Sequence, residues 1–553
     1  LLVTILRQLV HSFTMFTRKQ KRVRRLMATE HDTVSKRLYF LIAGLLLLLY
    51  LVNGFLAIPK LSVTYDEADH LNYGIRMLKG QPRKLVLDDG SVMPISALNA
   101  IPRGVEQVFR SGLQKTDGGV SDIMHGRYVT VIIGLLIGFF ICRWSTEMFG
   151  RKAGLLSLLL FVLCPNLNAN AHLVTTDVYT ALFVLITAYF FYRFVRFSGW
   201  TNFIAFSLAI GFSQAVKQSL LLLFFFFAVC SLVVLLRRDS LLYRFRLNLL
   251  RLVVFCALVL LSINLCYLFD GTGMTLSAYD FKSEFFKDLQ EVKLLSRVPL
   301  PLPEPFVQGF DFIRFMLGLG SGHKETSPQS YLFGFYFTGN GPWYYYPCVI
   351  LFKTPLSVLV LLLLLLWKRK NPTVNSFWRS GFPLAVALFF VLSVMVLNTS
   401  QHSIRHLVLI YPLLYVSVGR VFIANSVKNK ILTAALMVYS IATYYFYYPN
   451  LIAYTNEILW NKTNVYKTIA STNIDFAQGH YFAADYLKNH KNVEMPGETP
   501  KAGNFILDIN TYLDLWNTGK YQWLRSFAPD SHVNHCYLLF NITEQDLKAK
   551  GYQ

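Results

Sequence analysis

The sequence predicts a polytopic α-helical membrane protein of about eleven transmembrane helices, with external-loop helices and a small external C-terminal α/β appendage. Three observations predict it. Hydrophobic residues make up 54% of the 553 positions and charged residues only 15%, too few polar side chains to cover a soluble surface. Apolar runs as long as a bilayer is thick recur along the chain, and the mean hydropathy is +0.41. The formal charge of +22 is not gathered in one patch. It is spread in short basic clusters between the apolar runs, which is the positive-inside pattern and leaves no nucleic-acid surface.

Residues 1–37 read as a basic cytoplasmic leader, with Arg18 to Arg25 (RKQKRVRR) and Lys36-Arg37; Met15 and Met27 both stand as possible starts. The run 38–58 is longer than a signal-peptide core and has no clean small-x-small site, so a signal anchor with its N-terminus inside is expected. It opens a transmembrane catalytic domain, 38–449. Its first external loop, 60–125, is long enough for one or two surface helices. Further spans are expected at about 126–143, 152–171, 176–197, 201–216, 219–236, 249–269, 347–367, 380–398, 403–424 and 430–449. Basic clusters at Arg143 to Lys152, Arg193 and Arg196, Arg237 to Arg251, Lys368 to Arg379, and Arg420 to Lys430 then all fall inside. An odd number of spans puts the C-terminus outside.

The second external loop, 270–346, holds a Pro-rich knot from Pro299 to Pro305 and ends in GNGPWYYYP, whose aromatic residues suit the headgroup zone. Residues 450–553 form an external C-terminal domain, helical near DFAQGHYFAADYLKNH and strand-like at NFILDI and CYLLFNI. No Gly-rich nucleotide signature follows a strand, and the seven cysteines show no CxxC spacing.

The stretch Val63 to Gly80, VTYDEADHLNYGIRMLKG, organises the rest. Asp66, Asp69, His70 and Tyr73 fall at i, i+3, i+4 and i+7, so one helix face would carry acid, acid and imidazole beside a membrane lip. Thr64 to Glu67 also reads as a capping box, which accounts for Glu67 better than for Asp66 or His70. With topology assigned, His172, Asp177, Lys217, Lys353, His402, Arg405 and His406 fall on the same outer face. Each has a simpler reading: Asp177 as an N-cap beside Thr175 or Thr176, Lys217 and Lys353 as snorkelling cations, His402 and His406 as a solvated helix end. Together, carboxylates on two loops and cations on three others are what transfer from a phosphate-linked donor needs. A carboxylate takes the acceptor proton, and fixed cations hold the departing phosphate.

Four blocks, YDEADHLNYGIRMLKG; HLVTTDVYTALFVLITAYFF; WYYYPCVILFKTPL with SIRHLVLIYPLL; and YYPNLIAYTNEILW with STNIDFAQGHYFAADYL, carry a resemblance. The chain resembles the type-C membrane glycosyltransferases of the protein O-mannosyltransferase and aminoarabinose-transferase superfamily. That resemblance implies a polyprenyl-phosphate-sugar-dependent glycosyltransferase moving a hexose or aminopentose, with inversion, to a protein, lipid or glycan acceptor. It places the catalytic base on Asp66 with Glu67 beside it. It assigns donor or phosphate binding to Asp177, Lys217, Arg405, His406, Lys353 and His70. No cofactor is required, and a divalent cation held by Asp66 and Asp177 is allowed but not demanded. The expected location is a bacterial inner membrane, with the site facing the periplasm. Where related bacterial sequences read like DSNxDWGQD, this chain has STNIDFAQGH at Ser471 to His480, which points either to a changed acceptor or to relaxed constraint. Two rival classes are a lipid-sugar flippase or secondary transporter, which would show repeats and midplane charges, and a non-catalytic membrane scaffold.

Overall fold

The computed structural model describes residues 34–109, 119–197, 199–236, 249–318, 330–337, 341–367, 378, 381–397, 403–423 and 427–552. His402, and most of the Lys368 to Arg379 cluster, lie outside them.

The protein is a helical membrane protein. Among the described residues three helices are long and apolar enough to cross a membrane: Lys36–Lys60, Val120–Phe149 and Asp177–Phe197. The first starts where the Ser35 hydroxyl accepts from Leu38 N at 3.2 Å, and it turns Leu41, Leu45 and Leu48 outward while burying Tyr50, Asn53 and Gly54. Its close neighbour is the Val120–Phe149 helix, where a Cβ on Gly134 would lie 1.8 Å from the Tyr50 hydroxyl.

Two of the expected spans are broken. Arg151–Val162 and Pro165–Ala171 meet at 61°, and Tyr345–Lys353 and Leu356–Trp367 at 110°. Prolines cause both breaks. Pro165 and Pro355 lack an N–H and push the preceding residue out of helical geometry: Cys164 is extended, and so is Thr354. Five shorter apolar helices, Trp200–Ser213, Gln218–Val233, Leu250–Cys266, Phe382–Leu397 and Ile410–Phe422, complete the described apolar part.

The long segment between the first two spans folds into two helices, Glu67–Leu78 and Ala97–Phe109, that pack on each other. The C-terminal region carries a four-stranded sheet in the order Val493–Glu494, Gly503–Asp508, Tyr537–Ile542, Ser531–Val533, with only the first pair parallel. The helix anticipated from Asp475 begins only at His480. Before it, Ser471 and Ala477 have positive φ, the Asp475 carboxylate accepts from Ala477 N, and the Gln478 amide oxygen accepts from Phe476 N. Local side-chain bonds of this kind compete with helix and hold a tight loop instead.

That loop is tied to the membrane part. Ser62, just past the first span, donates its hydroxyl to Ala477 O at 2.6 Å and accepts from His480 N at 3.0 Å. Ser403 donates to Thr472 O, and the Asn473 side chain accepts from Ile404 N at 2.9 Å. The C-terminal region is therefore strapped across the face where the helix ends converge.

Candidate functional site

The adjacent acids Asp66 and Glu67 have opposite surroundings. Glu67 is 0% exposed. Its carboxylate accepts from Arg127 Nε at 2.7 Å and Nη2 at 2.5 Å, from Val174 N at 2.9 Å and from Thr64 N at 2.8 Å. Arg127 spends its remaining donors on Leu61 O and Ser62 O. The pair is fully buried and fully hydrogen-bonded, the condition under which a buried ion pair holds its neighbours in place. Here it joins the end of the first span, the Glu67–Leu78 helix, the Val120–Phe149 helix and the loop at Val174. Glu67 is thereby corrected from catalytic acid to structural tie, because no substrate atom can reach it. The expected capping box survives only in part: Glu67 reaches back to Thr64 N, but the Thr64 hydroxyl donates to Glu67 rather than capping an amide.

Asp66 has a side chain 38% exposed and lies at the helix entrance. Arg405 donates to it from Nη1 at 2.5 Å. The Arg405 guanidinium lies over the Phe476 ring, 4.6 Å from its centroid. Asp177 is buried at the start of its helix and accepts from Lys217 Nζ at 2.9 Å. Arg405 and His406 both lie within electrostatic range of Asp177. Residues from four distant stretches thus meet as two acids, two cations and two histidines.

His70 is buried between these pairs, its Nδ1 3.4 Å from the Ser96 hydroxyl. Burial pushes its imidazole down to about 4, against the pull of Asp66 and Asp177. It is neutral at pH 7, so toward a donor or phosphate it offers a hydrogen bond rather than charge. Asp69, one turn from Asp66, stays exposed.

Lys353 does not join the cluster. Buried, it donates to Ile452 O at 2.7 Å and Asn473 O at 2.6 Å. Both acceptors are backbone carbonyls of the C-terminal region, so Lys353 is corrected from phosphate ligand to an internal tie. Behind Arg405 a cavity of about 20 Å³, lined by Asn166, Asn170, Lys353, Asn473 and Phe476 among others, is too small for a sugar. A larger cavity, about 390 Å³, lies apart, between Arg76 to Leu85 and Leu268 to Asp270. Its Arg76 and Arg83 are already paired with Asp89 and Asp270.

Among the described residues no group of three or more His, Cys, Asp or Glu side chains gathers as a metal site. Asp66 and Asp177 each face a side-chain cation instead.

Sequence reasoning passed over Arg127 and Asn473. A lone arginine seated in the apolar run 126–143 was the available signal for the first, since an unpaired charge there is costly. Asn473 had no such signal, because its role is backbone recognition across distant segments.

Fold and site together define a class: a membrane protein that gathers carboxylates and cations where its helices end. Residues 119–267 match the family model described as dolichyl-phosphate-mannose-protein mannosyltransferase. That segment contains Arg127, Asp177 and Lys217. Two solved structures are similar over 90% of this chain and 97% of theirs. The crystal structure of ArnT from Cupriavidus metallidurans bound to undecaprenyl phosphate is 12% identical with a TM-score of 0.48, and ArnT from the same organism in the apo state is 14% identical with a TM-score of 0.33. No curated protein matches the chain.

Proposed function

We propose that the protein transfers a sugar from a polyprenyl-phosphate carrier to an acceptor hydroxyl at the outer face of the membrane, a bacterial cytoplasmic membrane with the site toward the periplasm. The observation that carries this reading is the contrast between Asp66, partly exposed and gripped on one side by Arg405, and Glu67, sealed in the interior. A family named for mannosyl transfer from dolichyl phosphate, matched over 119–267, supports the same chemistry.

In this reading Asp66 takes the acceptor O–H proton. The freed oxygen pair forms the new bond to the anomeric carbon as the bond from that carbon to the phosphate oxygen breaks, with inversion. The phosphate leaves with the bonding electrons, and its charge is met by Lys217 and Arg405, already fixed by Asp177 and Asp66. His70 and His406 complete the polar lining.

The test is transfer of label from a panel of radiolabelled polyprenyl-phosphate sugars by membranes holding the native protein. Transfer from at least one donor is expected. Movement of the same lipids across sealed vesicles without transfer would instead identify a flippase, and neither activity would point to a scaffold.

A further inference from the structure

The open side of the Asp66 site ends in aromatic rings that the transfer step does not use. Tyr65, next to the proposed base, is 51% exposed, and Trp516 of the C-terminal region is 39% exposed. Their centroids are 5.9 Å apart at 70°, and Tyr65 meets the buried Phe476 at 6.0 Å and 63°. Phe476 is the ring beneath Arg405, and Arg405 holds Asp66. One continuous path therefore runs from the base through Arg405 and Phe476 to an exposed pair of rings.

Both rings are held in place. Asp475 accepts from Ala477 N, with Ala477 at φ +71°, while Ser62 binds Ala477 O, which fixes Phe476 against Tyr65. On the other side Asp514 accepts from Thr518 N at 2.6 Å, Thr518 Oγ1 at 2.9 Å and Gly519 N at 3.1 Å, and pairs with Arg525 at 3.0 Å. The turn bearing Trp516 is set before any ligand arrives, which lowers the ordering cost of binding.

The charges around the shelf restrict its occupant. Asp508 lies within electrostatic range of Tyr65, and among the described residues it makes no salt bridge. Of the cations beside the shelf, Arg405 is engaged by Asp66 and Arg525 by Asp514. An anionic group would be repelled. The negative faces of aromatic rings attract weakly positive C–H groups, such as those on the flat face of a pyranose. Two rings at 70° form an L-shaped shelf that takes one such ring by face and edge.

We propose that Tyr65 and Trp516 form a stacking subsite for an uncharged sugar ring of the acceptor, so that the acceptor is a neutral glycan. This rests on the transferase reading above, and the test is a binding measurement so that the two can fail separately. The full-length protein in detergent is titrated with neutral disaccharides and trisaccharides, with a phosphorylated glucosamine disaccharide and with a threonine-rich peptide, without donor. At least one neutral saccharide is expected to bind. Trp516→Ala should weaken it at least tenfold and Trp516→Phe by much less, with thermal unfolding of both variants checked against the native protein. The proposal is overturned if no neutral saccharide binds, if Trp516→Ala binds it as tightly as the native protein, or if the peptide or phosphorylated sugar is the ligand that depends on Trp516. Transfer activity without saccharide binding would overturn the subsite and leave the transferase reading standing.

Discussion

Charge at single residues divides the work between neighbours. Glu67 and Arg127 form a saturated buried pair, and removing one partner strands the other charge. Glu67→Ala is therefore expected to lower stability by about 3–5 kcal/mol, whereas the more exposed Asp66→Asn should leave it nearly unchanged. Unfolding in detergent compares them directly. Asp475 shows the opposite situation. Burial, with Asp508 beside it, raises its carboxyl well above the ordinary range, and Cys536, Tyr537 and Tyr65 are the other titratable groups facing it. A raised acid binds more protons folded than unfolded, so its contribution is full below the unfolded value of about 3.9 and is lost as pH rises toward the folded value. Asp475→Asn keeps the oxygen that Ala477 N uses. It should flatten the fall in melting temperature with rising pH; an unchanged slope would show that Asp475 is not the group responsible. The sequence made Asp66 legible because an acid at a membrane lip is conspicuous. It could not separate Asp66 from Glu67, since burial is settled by Arg127, sixty positions away.

Among elements, the Glu67–Leu78 helix and the broken spans matter most. A Cβ on Gly74 would lie 2.3 Å from Ser96 O, so Gly74→Ala must push that helix off the turn that supports His70. The expected result is a melting temperature lower by several degrees together with reduced transfer, a cost typical of overpacking at about 1–3 kcal/mol. Unchanged stability would mean that the turn yields freely. Apolar periodicity found where helices lie, but it could not tell a straight span from a bent one. Pro165 and Pro355 were visible at the breaks, and the resulting angles of 61° and 110° depend on the neighbours that satisfy the freed backbone. Asn166, which donates to Lys353 O at 2.6 Å, links the two breaks.

For the whole molecule, the C-terminal region is a working wall of the membrane part. The strands at Gly503–Asp508 and Tyr537–Ile542 follow the runs NFILDI and CYLLFNI closely, because alternating and β-branched residues report themselves locally. The strap at Ser471 to His480 did not, because its bonds go to Ser62, Lys353, Ser403 and Ile404. Asn473→Ala should release both Ile404 N and Tyr345 Oη, loosening the turn that carries Arg405. Transfer is expected to fall at least tenfold while the protein still inserts in membranes; full activity would show that the strap does not position Arg405. The central claim is that Asp66 is the base, and the most direct measurement is the turnover of Asp66→Asn at saturating donor and acceptor. The account predicts a loss of about a hundredfold or more, with polyprenyl-phosphate binding retained. Turnover equal to that of the native protein would return Asp66 to a helix-terminal acid and contradict the account.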